Sequence, residues 1–215
     1  MAQVVVFDTG WGGEMVADFL EKELPVMEII RVIDWRHAPY CNKSNREIRR
    51  LAVNALDPYI GVADVILLAS NVLSMVTLKY LRKHYPEQKF VGVSWPIVRN
   101  KKRILMLTTK KVEKSWEFYK DSRRWKDAKM EVFECDDWVC KIDEGVMDTD
   151  EIRDDLAKYL DFDPDVMIIG CTHLLDARPV LEEIFGYGTW VADGNKRTLK
   201  NLCRALKLKG SDVAY

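Results

Sequence analysis

Cys171, Thr172 and His173 follow one another at the end of an apolar run, in the sequence DVMIIGCTH at residues 165–173. A thiolate close to an imidazolium has a lowered pKa and can act as a base or a nucleophile. A cysteine is more often a buried packing residue than a reactive one. Here, however, a histidine stands two residues away and Gly170 marks a turn in front of the thiol. These neighbours favour proton-transfer chemistry at Cys171.

A similar stretch, DVILLASNV, occurs earlier in the chain at residues 64–72. When the two stretches are aligned, Ser70 matches Cys171 and Asn71 matches Thr172. A serine here would most often cap the following helix. Its match with Cys171 favours a second role, because proton removal and redelivery at a stereocentre need acid/base groups on opposite faces. The sequence therefore predicts an internal duplication with a thiol in one half and a hydroxyl in the other.

Asp8 is a third candidate for acid/base chemistry. It follows the β-branched run at residues 3–7 and stands before Thr9 and Gly10. A carboxylate at the end of a buried strand is costly to bury unless it has a partner or a task. The following stretch GWGG does not match the GxGxxG pattern of dinucleotide-binding turns. It predicts a tight turn from strand to helix.

A repeating strand–helix pattern must position these groups. Apolar runs alternate with amphipathic segments of ten or more residues, which predicts parallel sheets flanked by helices. Open sheets of this kind bind ligands at the carboxyl ends of their strands. We expect strands at 3–7, 28–33, 64–69, 90–93, 103–107, 129–134, 165–169 and 189–192, and helices at 14–24, 45–56, 71–84, 111–125, 150–160, 176–185 and 195–206. Irregular structure is expected at 34–44, where Ser44 would cap the next helix, and at 135–145.

The predicted fold class is α/β, with two pseudo-symmetric lobes that are each a parallel sheet flanked by helices. The site is expected in the cleft between the lobes. A boundary is indicated by Ser94, Trp95 and Pro96. The first lobe would comprise residues 1–95 plus 186–215, and the second lobe residues 96–185.

Composition excludes several classes of function. Lys plus Arg number 33 and Asp plus Glu 34, whereas a dedicated nucleic-acid binder should carry a basic excess. The tight basic cluster at residues 99–103 is expected to be a solvated turn. No apolar stretch approaches the roughly 20 residues that span a membrane, and no signal peptide or phosphate-binding loop is recognisable. We therefore expect a cytoplasmic protein.

The cysteines and histidines of the chain indicate neither disulfides nor a metal site. Five cysteines are an odd number at irregular spacing, and three scattered histidines form no ligand cluster. His37 and His84 are expected at the surface. The remaining cysteines are expected to be packing or incidental residues: Cys41, Cys135, Cys140 and Cys203.

Six short motifs occur in order along nearly the whole chain: FDTGWGG at 7–13, PYCNKS at 39–44, ASN at 69–71, LTTKKVEKSWEFY at 107–119, WVCKIDEG at 138–145 and GCTH at 170–173. They resemble the motifs FDSGxGG, PYGxKS, ACNT, ATxxTxxSxxY, FVPLVExG and GCTH of the aspartate/glutamate racemase superfamily, most closely those of glutamate racemases. The resemblance implies a PLP-independent isomerase without cofactor or metal. Its partner would be a small molecule, an amino acid or related carboxylate, and a homodimer is compatible with it.

In that family two cysteines flank the α-carbon of the amino acid, and one takes the proton that the other returns. The resemblance makes Cys171 one base, assisted by His173 and Asp143. Asp8 would assist the group at position 70, which is Ser70 in this chain. The residues that fall on substrate-binding positions are Thr9, Gly10, Pro39, Tyr40, Asn71, Thr109 and Thr172.

Three departures from the family pattern leave alternatives open. Ser70 replaces the first cysteine, and a hydroxyl is a far weaker acid than a thiol of pKa about 8.5. Val72 and Val112 replace threonines, which makes the pocket less polar. The first hypothesis is an amino-acid racemase or epimerase. The second is a one-cysteine enzyme resembling arylmalonate decarboxylase, and the third is a non-catalytic relative that binds a small carboxylate.

Overall fold

The computed structural model describes residues 2–98, 102–114, 128–186 and 188–208. The chain forms two compact units, Met1–Ser94 with Gly194–Tyr215, and Trp95–Asp193. Each unit holds a four-stranded sheet whose neighbouring strands are parallel, so the chain has the predicted α/β fold. Within the described ranges, none of the helices is both long and apolar enough to cross a membrane.

Strands and helices alternate along the chain. The strands are β1 (Gln3–Asp8), β2 (Glu28–Ile33), β3 (Val65–Leu68), β4 (Phe90–Gly92), β5 (Arg103–Thr108), β6 (Lys129–Glu134), β7 (Val166–Ile169) and β8 (Trp190–Ala192). The helices with described bounds are α1 (Trp11–Glu23), α2 (Asn45–Leu56), α3 (Asn71–His84), α4 (Asp136–Asp143), α5 (Thr149–Ala157), α6 (Arg178–Phe185) and α7 (Asn195–Leu206). Residues 110–114 are also helical. The rest of the helix predicted at 111–125, and residues 99–101 of the basic cluster, lie outside the described residues.

In the first unit the strands lie in the order β2-β1-β3-β4. Every residue of β3 is buried, as expected for an apolar strand inside a parallel sheet that is covered on both faces. The predicted cap of α2 is confirmed, because the hydroxyl of Ser44 accepts a hydrogen bond from the backbone N–H of Glu47 at 3.2 Å. The segment before it, predicted to be irregular, contains two short 3₁₀ turns, Trp35–His37 and Tyr40–Asn42.

In the second unit the strand order is β6-β5-β7-β8, which repeats the order of the first. The two aspartates that match in the aligned stretches, Asp64 and Asp165, make equivalent hydrogen bonds at the starts of the strands. Asp64 accepts from the backbone N–H of Gln3 at 2.8 Å, and Asp165 accepts from that of Arg103 at 2.8 Å. The two aspartates that define the aligned stretches therefore have the same structural task within their own units.

The segment 135–145 differs from the sequence-based expectation, because it contains helix α4 instead of irregular structure. Its first acidic residues stand where acidic residues favour a helix. Asp136 and Asp137 occupy the first turn, next to the positive end of the helix dipole. The carboxylate of Asp136 also accepts from the backbone N–H of Lys110 at 2.7 Å, and Trp138 is buried in the core.

The junction between the units also differs from the expected boundaries of 1–95 plus 186–215 and 96–185. The chain returns to the first unit at Gly194 instead of residue 186. The reason is β8, which pairs with β7 and so belongs to the second sheet. A strand so short offers little in the sequence to show which sheet it joins.

Candidate functional site

In the second unit, the end of β7 delivers Cys171 to the carboxyl edge of the sheet. Gly170 donates its N–H to the carbonyl of Leu107 at 2.8 Å. A Cβ on Gly170 would lie 2.9 Å from that carbonyl oxygen and 3.0 Å from Cβ of Thr108, so a larger residue would push the strands apart. Cys171 continues in extended conformation, half-buried, and the chain then enters a 3₁₀ turn at Thr172–Leu175.

The side chains of Cys171, His173 and Asp143 form a line of contacts. Nδ1 of His173 lies 3.7 Å from Sγ of Cys171, and Nε2 lies 3.1 Å from Oδ1 of Asp143. His173 is buried, and Asp143 is the last residue of α4. A carboxylate at Nε2 favours the protonated imidazole, which in turn favours a thiolate at its other nitrogen. The structure thus brings together the three catalytic candidates predicted for this half of the chain.

Cys135 packs near this group, as expected of a packing residue. It follows β6 directly, it is 1% exposed, and it belongs to the apolar cluster against which Cys171 packs. Interaction with the Cys135 thiol and with the His173 imidazole lowers the pKa of Cys171 to about 5, against the opposing effect of burial. Burial raises the pKa of Cys135 well above its usual value. The pKa values of the two thiols are thus shifted in opposite directions.

Two further candidates in this unit, Thr109 and Thr172, lie at the same edge of the sheet. Thr109 follows β5, and Thr172 follows Cys171. Both residues are buried, and the hydroxyl of Thr109 has no hydrogen-bond partner among the described residues. A buried hydroxyl usually has a partner, so this one is available to a ligand. Substrate binding by these two threonines stays a prediction.

In the first unit, Asp8 and Ser70 lie at the ends of neighbouring strands. Asp8 ends β1 and is fully buried, and its Oδ1 accepts from the backbone N–H of Thr9 at 2.7 Å. Ser70 follows β3 and occupies the N-cap position of α3, but its side chain makes no capping hydrogen bond to that helix. The helix-cap interpretation therefore does not account for the hydroxyl. Asn71 is the first residue of α3, beside Ser70.

Glycine at position 13 allows α1 to pack closely on Asp8. A Cβ on Gly13 would lie 2.4 Å from Cβ of Asp8 and 2.7 Å from Cδ1 of Ile33. Gly10, a predicted substrate-binding residue, takes the N-cap position of the same helix in extended conformation. The glycine-rich turn thus positions the carboxylate of Asp8, in agreement with the tight turn expected from the sequence.

Tyr40, another predicted substrate-binding residue, is held by Asp34. Its hydroxyl donates to Oδ2 of Asp34 at 2.6 Å, and Nδ1 of His37 lies 2.8 Å from Oδ1 of the same carboxylate. Burial and the Asp34 carboxylate raise the pKa of Tyr40 above its usual value. Pro39 precedes Tyr40 in extended conformation. The Asp34 backbone N–H donates to the carbonyl of Asp8 at 2.9 Å, so this network adjoins the end of β1.

Sequence reasoning missed Asp34, which stands directly after β2. The signal that could have found it is the one that pointed to Asp8 and Cys171, a polar or reactive residue where a parallel strand ends.

The fold and these groups define an α/β protein with two similar units. One carries a thiol–imidazole–carboxylate group at a sheet edge, and the other carries a carboxylate and a hydroxyl at the equivalent edge. The fold with two similar units agrees with the resemblance to the aspartate/glutamate racemase superfamily.

Comparisons with known proteins identify the family more closely. No protein-family model matches the chain. Glutamate racemase from Sulfurovum sp. is 30% identical over 198 residues, which cover 85% of this chain and 74% of the relative. Glutamate racemase from Clostridium perfringens is 25% identical over 217 residues, 96% of this chain and 84% of the relative. The chain belongs to the glutamate racemase family.

The fold of a solved structure agrees with this assignment. The crystal structure of Escherichia coli glutamate racemase, in complex with L-glutamate and an activator, matches with a TM-score of 0.84 at 22% identity. The match covers all of this chain and 85% of the other.

Proposed function

We propose that this protein is a cofactor-independent amino-acid racemase or epimerase in which Cys171 moves the α-proton. The observation that carries the proposal is the contact of the Cys171 sulfur with Nδ1 of His173 at 3.7 Å, backed by Asp143. A thiolate that persists below neutral pH is ready to accept a proton, and the imidazolium stabilises it until it does. His173 and Asp143 would thus assist the base without contacting the α-carbon.

Ser70 would act on the opposite face of the α-carbon, with Asp8 beside it. In one direction the hydroxyl gives a proton to the α-carbanion while the Asp8 carboxyl replaces that proton. In the other direction the Asp8 carboxylate accepts the hydroxyl proton of Ser70, and the Ser70 oxygen takes the α-proton from the substrate. A hydroxyl is a poorer proton store than a thiol, so this face should limit the rate.

Acidic amino acids are the first substrates to test, because the relatives carry the name glutamate racemase. Thr9, Asn71, Thr109 and Thr172 would hold the polar groups of the substrate. Tyr40, which donates a hydrogen bond to Asp34, would also contribute to substrate binding. Gly10 and Pro39 would contribute through their backbone.

A second candidate function is supported by apolar residues close to the proposed site residues. Val72 follows Asn71 and is 7% exposed, and Val112 in the helical segment after β5 is 1% exposed. With Ser70 in place of a thiol, these residues favour an enzyme that protonates an enolate-like intermediate from the Cys171 face alone, as in an arylmalonate-type decarboxylation. A binding protein without catalysis is the remaining outcome.

A panel assay separates these functions. The purified protein is incubated with each enantiomer of glutamate and aspartate, and with an arylmalonate. Chiral chromatography then measures the opposite enantiomer, and headspace analysis measures CO₂. The proposal expects the opposite enantiomer from at least one acidic amino acid and no CO₂. CO₂ from the arylmalonate alone would favour the decarboxylase. If neither product forms, the result indicates a binding protein without catalysis and overturns the proposal.

A further inference from the structure

The segment after β2 carries two predicted substrate-binding residues, Pro39 and Tyr40, but its backbone structure consists of two 3₁₀ turns. The backbone hydrogen bonds of these turns are local: His37 N–H to the carbonyl of Asp34 at 3.3 Å, Ala38 N–H to that of Trp35 at 3.4 Å and Lys43 N–H to that of Tyr40 at 3.1 Å. Bonds of this kind shape a turn, but they do not determine where the turn lies against the sheet. Side-chain contacts are needed for that.

Asp34 connects this segment to the first sheet. Its backbone N–H donates to the carbonyl of Asp8 at 2.9 Å, which holds Asp34 at the carboxyl end of β1. Its carboxylate is 13% exposed, and Oδ2 accepts from the hydroxyl of Tyr40 at 2.6 Å. That distance lies in the short range typical of a hydroxyl that donates to a carboxylate. Asp34 thus joins Tyr40 to the strand end that carries Asp8.

His37 is a second donor to the same carboxylate. Its Nδ1 lies 2.8 Å from Oδ1 and 2.9 Å from Oδ2 of Asp34. A carboxylate only accepts hydrogen bonds, so Nδ1 carries the hydrogen. The side chain of His37 is 42% exposed whereas Tyr40 is buried, so the imidazole meets the carboxylate from the solvent side and the phenol meets it from the core. Two donors on different sides fix the orientation of the carboxylate.

We infer that Asp34 is a positioning residue, whose carboxylate holds the Tyr40 hydroxyl and thereby fixes the backbone of Pro39 and Tyr40 beside the strand end of Asp8. The inference rests on the proposed binding of substrate by this segment. A binding residue on a loop needs support from the residues behind it, because a small displacement of the loop weakens its contacts with a ligand. Packing alone would hold a phenylalanine ring at position 40, so the hydroxyl is the part of Tyr40 that depends on Asp34.

The electrostatic surroundings agree with this geometry. Burial and the Asp34 carboxylate raise the pKa of Tyr40, and the Asp8 carboxylate raises it further. The Arg50 guanidinium acts in the opposite direction and lowers it. The hydroxyl therefore keeps its proton and remains a donor to Asp34.

The first part of the test needs no substrate. The protein is labelled with 3-fluorotyrosine, and ¹⁹F NMR follows the ionisation of each tyrosine with pH, the Tyr40 signal being the one that is lost in Tyr40→Phe. We expect the Tyr40 midpoint to fall by about one pH unit or more in Asp34→Ala and by less in Asp34→Asn, which keeps a neutral acceptor. Glu87→Gln, which removes an exposed carboxylate of the same unit, should leave the midpoint unchanged. If Asp34→Ala does not fold, Asp34→Asn takes its place.

The second part uses the racemisation assay with the acidic amino acid that the wild type converts. We expect Asp34→Ala and Tyr40→Phe each to raise KM several-fold with a smaller change in kcat, because both loosen a binding segment. The double variant should have a KM no higher than the single variants, since both changes remove the same hydrogen bond. Glu87→Gln should retain the wild-type KM.

An unchanged Tyr40 midpoint in Asp34→Ala would overturn the inference. An unchanged KM would also overturn it, and so would a double variant in which the two KM effects multiply, since Asp34 and Tyr40 would then act independently. If the midpoint shifts as expected while the wild type racemises neither glutamate nor aspartate, Asp34 still positions Tyr40 and the proposed function falls.

Discussion

Nε2 of His173 lies 3.1 Å from Oδ1 of Asp143, a residue 30 positions earlier in the chain. The contact joins the 3₁₀ turn after β7 to the last residue of α4. It fixes the orientation of the ring so that Nδ1 faces Cys171. The group that contacts one ring nitrogen of a histidine influences the proton on the other nitrogen. Here the carboxylate of Asp143 contacts Nε2, on the side of the ring away from the Cys171 sulfur.

Replacing the carboxylate should weaken the thiolate. In Asp143→Asn the amide can still contact Nε2, but it no longer stabilises the imidazolium, so we expect alkylation of Cys171 at pH 6 to slow several-fold. Asp143→Glu should retain most of the wild-type rate, because the charge is kept. Glu144→Gln is the matched control, since Glu144 is exposed and adjacent. Equal rates in Asp143→Asn and the wild type would contradict the role given to this pair.

The thiols should differ in reactivity according to the directions of their pKa shifts. The pKa of Cys171 is lowered, so its thiolate should persist as the pH falls from 9 to about 5 and disappear only below that value. Burial raises the pKa of Cys140 and of Cys203, so these thiols should react only as the pH rises above the usual thiol range. Iodoacetamide at pH 6 should therefore label Cys171 ahead of both, as measured by peptide mass spectrometry. Preferential labelling of Cys140 or Cys203 at this pH would refute the assignment.

Gly13→Ala should destabilise the first unit. The added Cβ would lie 2.4 Å from Cβ of Asp8, and overpacking of this kind typically costs about 1–3 kcal/mol of unfolding free energy. Gly188→Ala is the control, because a Cβ there meets no atom within 4 Å and should change the unfolding free energy by at most about 0.5 kcal/mol. Urea denaturation measures both. Equal stabilities of the two variants would show that α1 does not pack on Asp8 as described.

The sequence predicted the architecture well, because its cues are local. Apolar runs such as residues 65–68 are fully buried, and the repeated Asp64 and Asp165 start equivalent strands in both units. Resemblance of short motifs also led to Asp143, which spacing alone would not have paired with His173. That pair depends on helix α4, which lies in a segment that was expected to be irregular.

What the sequence could not supply is the environment of single side chains. Cys135 and Cys171 are 36 positions apart, and they pack in one apolar cluster because β6 and β7 both pair with β5, which no local pattern shows. The surroundings of a cysteine side chain depend on the tertiary structure and not on the residues next to it in the sequence. The same holds for Asp34, whose partner Tyr40 lies in a segment without strands or long helices.

Ser70→Cys should speed racemisation if Ser70 is the weaker of two proton donors. A thiol stores and returns a proton more readily than a hydroxyl, so we expect the rate of enantiomer conversion to rise, while Ser70→Ala should lower it. Chiral chromatography with glutamate or aspartate measures both. A rate in Ser70→Cys no higher than in Ser70→Ala would mean that position 70 takes no part in the reaction.

The most direct measurement of the central claim is α-proton exchange in D₂O, followed by ¹H NMR on each enantiomer of glutamate and aspartate with the wild type and with Cys171→Ala. The account predicts that the wild type replaces the α-proton with deuterium in at least one of these amino acids, and that Cys171→Ala does not. Exchange that persists unchanged without the thiol, or that never occurs with it, would contradict proton transfer by Cys171.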